Sequence, residues 1–176
     1  MKALKNIILK WLGDEDGVAA TEAALVFPIL LVLLLGTFDL GNGILANQKT
    51  IRASQVTADL ITRYSSVTDS DIDEAIQAGT LAFTPYPVTS YGVDIVSIQF
   101  DHEAEASILW RETRNMQADE GILERVESLA EPNGGVVVVI SQYLFEPVFG
   151  EFIVDDIPMQ EVAFARGRES ASVSKD

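Results

Sequence analysis

The most apolar stretch of the chain runs from Val18 to Phe38, VAATEAALVFPILLVLLLGTF, and carries one ionisable side chain, Glu22. An α-helix needs about 20 mostly apolar residues to cross the hydrocarbon core of a bilayer, so residues 18–38 predict a transmembrane helix. A cleaved secretory signal would have a shorter apolar region, roughly 7–15 residues, closed by a small-residue cleavage site. Here Asp39-Leu40-Gly41-Asn42-Gly43 follows, without an A-x-A pattern. Upstream, Leu4, Ile7, Ile8, Trp11 and Leu12 make a helical stripe, with Lys2, Asn6 and Lys10 opposite. A basic amphipathic helix of this kind suits the anionic inner surface of a membrane. The positive-inside rule then places residues 1–17 in the cytoplasm and residues 39–176 outside it.

Beyond the span, Ala53, Val56, Leu60 and Tyr64 recur at helical spacing, and Ile44 and Ile51 lie seven apart. Polar side chains fill the remaining positions. Residues 39–66, helical from Ile44, therefore predict an amphipathic extension of the membrane helix. Gly36, Gly41 and Gly43 weaken helix near the boundary and predict a bend there. Pro28 predicts a passive kink in mid-span.

Residues 67–176 read as one α+β head. Ser70–Phe83 predicts a short helix, with Ile72, Ala75, Ile76, Gly79 and Phe83 on one face and Asp71, Asp73 and Glu74 at its positive end. Pro85, Pro87 and Gly92 mark a connector. Val93–Phe100 predicts a strand by its alternation and its Val and Ile content. Ala104–Arg111 predicts a second, with Ala106, Ile108 and Trp110 sharing a face. Asp119–Ala130 predicts a second helix, stopped by Pro132-Asn133-Gly134-Gly135. Val136–Phe145 predicts a central strand. Pro147–Pro158 predicts an irregular excursion whose acids Glu151, Asp155 and Asp156 are solvated. Met159–Arg166 predicts a closing strand, and the polar Gly167–Asp176 a frayed tail. The fold class is α+β: a long N-terminal helix joined to a pilin-like head of about four antiparallel strands and two short helices.

Composition narrows the chemistry. The chain has 12 Lys+Arg against 27 Asp+Glu, a net charge of −15, while 48% of its 176 residues are hydrophobic. Phosphate contacts need clustered Lys and Arg, so nucleic acid is not an expected partner. There is no cysteine and one histidine, His102. Thiolate zinc sites, Cys nucleophiles and disulfide scaffolds are excluded. Asp69-x-Asp71-x-Asp73 suggests a calcium loop, but the EF-hand pattern needs Gly and Glu where Glu74 and Thr80 stand. Asp101-His102-Glu103 reads as a solvated turn. No nucleophile elbow or phosphate loop occurs, so neither an enzyme nor a cofactor is expected.

Two positions stand out. Glu22 lies inside the span, where a carboxylate costs about 2.5–3.5 kcal/mol at the bilayer centre and less near the interface. Gly17 precedes the span. If the chain were cut after Gly17, Val18 would carry an α-ammonium at i relative to Glu22 at i+4, on one helix face. The two charges could then neutralise each other, within one chain or between neighbours. The spacing alone serves equally a Glu22 that snorkels to water.

Gly17, Ala19-Ala20, Glu22, Ala24-Leu25, Pro28, Leu30–Leu35, Gly36, Asp39 and Gly41 together resemble the N-terminal segment of the TadE-like pseudopilins of the Tad (Flp) pilus system. Ala23 stands where an aromatic is usual in that pattern, and Asp39 where Glu is common. The resemblance implies cleavage between Gly17 and Val18 by a prepilin peptidase, and a role for Glu22 in aligning the subunit during assembly. It implies other pseudopilins, pilus-assembly proteins and membrane lipid as partners. It also implies a single-pass chain of the bacterial inner membrane with a periplasmic head. The alternative is an uncleaved single-span envelope protein that binds partners through that head.

Overall fold

A computed structural model describes residues 16–150 and 154–176. The predicted amphipathic segment before the span, and Glu151 in the excursion, lie outside these residues. Helix α1 runs over Asp16–Ile61, 46 residues. It is continuous through Pro28 and through Gly36, Gly41 and Gly43, so the glycines do not end it. Its most apolar window has a mean hydropathy of 2.5, and none of that window is buried. A helix this long and apolar suffices to cross a membrane. Among the described residues it is the one candidate membrane span.

The sequence predicts helix to residue 66, but α1 stops at Ile61. The next residues turn, and Ser66–Val67 form a short strand, β1. Tyr64 is thus exposed outside the helix. The inner stripe of α1 is made of small residues instead: Ala46, Thr50, Ala53, Ser54, Thr57 and Ala58 are buried, closed by Ile61. Thr50 donates its hydroxyl to the Ala46 carbonyl (3.0 Å), and Thr57 reaches the Ala75 carbonyl of the next helix (3.2 Å). These bonds satisfy hydroxyls that burial would otherwise penalise.

Helix α2, Asp69–Leu81, begins with a capping box. The Thr68 hydroxyl accepts from the Asp71 N–H while Asp71 accepts from the Thr68 N–H (2.8 Å). Asp69 pairs with Lys175 at 2.7 Å and Asp73 lies 3.6 Å from Arg114. The acids of the supposed calcium string are therefore engaged in capping and ion pairs. Helix α2 packs against α1 through Gly79. A Cβ there would stand 2.5 Å from the Thr57 hydroxyl and 3.3 Å from the Ala53 carbonyl oxygen. Overpacking a tight contact costs about 1–3 kcal/mol. Gly79→Val is expected to lower the thermal midpoint of the chain in detergent, and an unchanged midpoint would refute this close approach.

The main sheet has the order β3-β2-β4-β5 and is antiparallel throughout. Its strands are β2 (Gly92–Phe100), β3 (Ala106–Arg114), β4 (Gly135–Phe145) and β5 (Ile157–Ala165). Strands β2 and β4 are central and buried on both faces. On one face Val93, Ile95, Val137, Val139, Tyr143 and Phe145 meet α1 and α2. On the other, Val96, Ile98, Phe100, Val136, Val138 and Ile140 meet helix α3.

Three expectations change here. First, β3 carries a bulge: Ser97 pairs with Trp110 but Ile98 pairs with Ile108, leaving Leu109 extra. One extra residue reverses the side-chain alternation. Trp110 therefore faces α1 and α2, while Ala106 and Ile108 face the other way. Second, the helix predicted over Asp119–Ala130 is shorter: α3 covers Ile122–Val126, and Glu127–Leu129 tighten into a 3₁₀ turn. Third, the tail is tied down. Val173 is fully buried, and its carbonyl accepts from Ser97 (2.7 Å) and from the Trp110 indole (2.8 Å). Ser174–Lys175 form β6, parallel to β1. Arg168 pairs with Asp59 of α1. Polarity alone predicts fraying; one buried valine beneath an indole overrides it.

Candidate functional site

Gly17 and Val18 lie in the first described turn of α1, and both are exposed. A Cβ built on Gly17 would meet nothing within 4 Å. Gly costs about 0.8–1.0 kcal/mol against Ala in a helix interior, and no packing among the described residues requires it. The Thr21 hydroxyl donates to the Val18 carbonyl (2.8 Å). Glu22 is exposed one helical turn beyond Val18. Among the described residues, no side chain or backbone group bonds its carboxylate. The helix thus puts positions 18 and 22 on one face, as their spacing requires, and aims that face away from the head.

The other end of the span holds a residue to which the motif gave no role. Asp39 is buried, and its carboxylate accepts three backbone N–H groups of the β4–β5 loop: Val148 (3.0 Å), Phe149 (2.8 Å) and Gly150 (2.6 Å). Phe149 then meets Phe38 edge-to-face at 5.6 Å between ring centres. The membrane helix is therefore fastened to the head where the apolar run ends. A second fastening involves Lys49. Its ammonium donates to the carbonyls of Ala82 (3.1 Å) and Thr84 (2.7 Å), just past α2, and sits over the Tyr86 ring. A cation at a helix C-terminus is favourable. In the sequence Asp39 shows only as an acid directly after twenty-one residues of span and as part of the TadE-like pattern, and neither points to its partners.

Inside the head, the structure reveals a polar cluster that the sequence reading passed over. The Asp94 side chain is fully buried in β2 and paired with Arg111 of β3. It accepts from Arg111 Nε (2.9 Å), the Thr113 hydroxyl (2.8 Å) and the Asp119 N–H (3.1 Å). Burial alone would raise its pKa. The Arg111 guanidinium, the Asp119 N–H and the Thr113 hydroxyl outweigh burial and hold it below the ordinary value. The lone acid among Val and Ile in GVDIVSIQF is the clue that could have found it, because a buried charge needs a partner. The cluster fixes the β2–β3 edge to the segment before α3.

Asp101, His102 and Glu103 do form an exposed turn. Asp101 accepts from the N–H groups of Glu103 (2.8 Å) and Glu105 (2.9 Å). Among the described residues, no three His, Asp or Glu side chains converge as a metal site would require.

The geometry leaves an exposed apolar helix, a fastened head, and Gly17 and Glu22 without internal purpose. Residues 17–59 match the family model described as TadE-like protein. The N-terminal helix is TadE-like. The match starts on Gly17, includes Glu22 and Asp39, and ends within the part of α1 that packs into the head. No curated protein and no solved structure gave a match.

Proposed function

We propose that this protein is a minor pseudopilin precursor of a Tad (Flp) type pilus. It is inserted in the bacterial inner membrane with residues 1–17 in the cytoplasm and the head in the periplasm. A prepilin peptidase cuts between Gly17 and Val18, which are substrate positions and not catalytic ones. The new Val18 ammonium then meets the Glu22 carboxylate of its own or a neighbouring chain, and this neutral pair lets the subunit join other pseudopilins.

The observation that carries this reading is the TadE-like match over residues 17–59, beginning at the glycine. Two physical points support it. Among the described residues Gly17 has no neighbour that would exclude a side chain, so packing against them does not account for its smallness. Glu22 is an exposed carboxylate on an apolar helix, a costly placement in lipid that a partner charge offsets.

The deciding measurement is the N-terminus of the mature chain, read by mass spectrometry from cells that contain the peptidase. A chain starting at Val18 is expected. A chain retaining Met1 would refute the cleavage and favour the uncleaved envelope protein.

A further inference from the structure

The four-stranded sheet has two edges, and they are not alike. The β3 edge is interrupted by the bulge at Leu109 and carries Arg111, Glu112 and Arg114, devices that keep an edge from pairing. Strand β5 pairs with β4 without a bulge, and no charge stands between its Glu161 and Arg166.

The ladder fixes which backbone groups β5 leaves over. In an antiparallel strand the N–H and carbonyl of one residue point to the same neighbour, and successive residues alternate. The Phe100 N–H donates to the Gly134 carbonyl (2.9 Å), and Leu144 bonds the Ser90 hydroxyl, just before β2, through its N–H and its carbonyl. Even-numbered residues of β4 therefore turn to β2 and odd-numbered ones to β5. By the register, Met159, Glu161, Ala163 and Ala165 bond to β4. Gln160, Val162 and Phe164 turn outward, and among the described residues nothing bonds their N–H or carbonyl groups. Pro158 shares this outward phase, where a missing N–H leaves the ladder intact.

A hollow of about 310 Å³ lies beside this edge, between β5 and α1. Its wall includes Gln55, Ala58, Asp59, Ala163, Ala165 and Arg168. The alanines leave room for a side chain of one more strand. The rim carries surplus positive charge: the Asp59 carboxylate is shared by Arg63 (2.8 Å) and Arg168, and more than half of each Arg side chain is exposed. On the opposite face of β5, Phe164 is 44% exposed.

A second copy of the chain does not fit this edge. Met159 lies beside Gly43, and Ala165 reaches the level of Ala58. Six strand residues and fifteen helix residues both span about 20 Å, so β5 runs beside α1 in the same direction. Two β5 strands paired antiparallel about a two-fold axis would point their spans opposite ways, which one membrane forbids. Paired in parallel about a two-fold axis, they would set their side-chain faces opposite at each level. Pairing with β3 of a second copy meets the interrupted edge.

We propose that β5 receives an extended segment of another protein as an added strand. Backbone bonds to Gln160, Val162 and Phe164 hold it. An acidic side chain enters the hollow at the Arg168 end, away from Glu161, and apolar side chains on its other face cover Phe164. The site needs neither cleavage nor a pilus; only the exclusion of a second copy uses the membrane reading of α1.

The test uses the full chain in neutral detergent with two labelled peptides, Val-Thr-Val-Glu-Val-Thr-Val and its twin with Lys for Glu. By fluorescence anisotropy the Glu peptide is expected to bind about tenfold more tightly, one exposed charge attraction gained and one repulsion avoided. Amide hydrogen exchange at Gln160, Val162 and Phe164 should be fast in the free chain and slowed by the Glu peptide, while Met159 and Ala163 stay protected throughout. Val162→Pro removes one outward donor and no bond to β4, so it should keep the parent's thermal midpoint and lose the peptide. Arg168→Gln should keep binding and erase the preference for Glu. Equal binding of the two peptides overturns the acidic partner. No binding of either at millimolar peptide, or binding without slowed exchange at those three amides, overturns the edge site. Protection of the three amides in the free chain that rises with chain concentration assigns the edge to a second copy and overturns the proposal.

Discussion

Replacing Asp94 with alanine is expected to cost the head about 3 kcal/mol, the lower end of the range for breaking a buried ion pair. The lower end applies because the Asp94 side chain is fully buried but Arg111 keeps 21% of its side-chain surface in water. The variant leaves the Arg111 guanidinium with one fewer partner and strands the Thr113 hydroxyl. At roughly 2–8 °C per kcal/mol across domain sizes, the thermal midpoint should fall on the order of 10 °C. Removing both charges, as in Asp94→Ala with Arg111→Met, should recover part of the loss, since no unpaired charge remains. A midpoint within 2 °C of the parent, on the order of measurement scatter at that scaling, would show that the pair is not stabilising.

The same residue sets an acid limit. The Asp94 carboxylate is held below its ordinary value of 3.8. A lowered pKa in the folded state adds stability that is complete above the unfolded value and is lost as pH falls through the folded one. The stability gap between the parent and Asp94→Asn is therefore expected to be full at neutral pH and to close only below pH 3.8. Unfolding curves of both chains across that range would show it.

Glu22→Ala should be processed normally and yet fail to support filaments. Removing a carboxylate from the span makes insertion easier, not harder, so a defect cannot be blamed on a chain that misses the membrane. On the proposed reading, what is lost is the partner of the Val18 ammonium. An uncompensated charge in lipid at about 3 kcal/mol shifts docking on the order of a hundredfold. Mature chain should accumulate in the membrane fraction while surface filaments fall to background. Glu22→Gln, which keeps shape and removes charge, should behave the same way. Normal piliation in either variant would remove Glu22 from assembly.

The long helix, the central Val-rich strand and the α+β class were legible because each rests on many residues repeating one period. A run such as VVVVI, short, β-branched and bounded by Gly135, favours a buried strand. The stop of α1 at Ile61 was hidden, because Thr62-Arg63-Tyr64 continues the polar and apolar pattern while the chain turns to form β1. The bulge at Leu109 was hidden for a related reason: SILW alternates in sequence, and only pairing with β2 shows that one residue is extra. The Asp39 clamp joins positions about a hundred residues apart, through backbone groups that carry no sequence signal. The resemblance over residues 17–41 located the candidate site because its elements, from the glycine to the last acid, lie on a single helix and need no tertiary contact. The tail was misread for the opposite reason: its order rests on one buried residue, Val173, and on pairings of Arg168, Ser174 and Lys175 with distant partners.

One helix serves as both membrane anchor and structural beam. One face of residues 46–61 of α1, from Ala46 to Ile61, is buried among the strands and α2, with Asp39 and Lys49 pinned to loops on either side. No hinge segment lies between span and head. A force that draws the span out of the bilayer is therefore delivered directly to the sheet, and the head must travel with it. From the apolar run to the sheet, the described helix and head form one mechanically continuous unit.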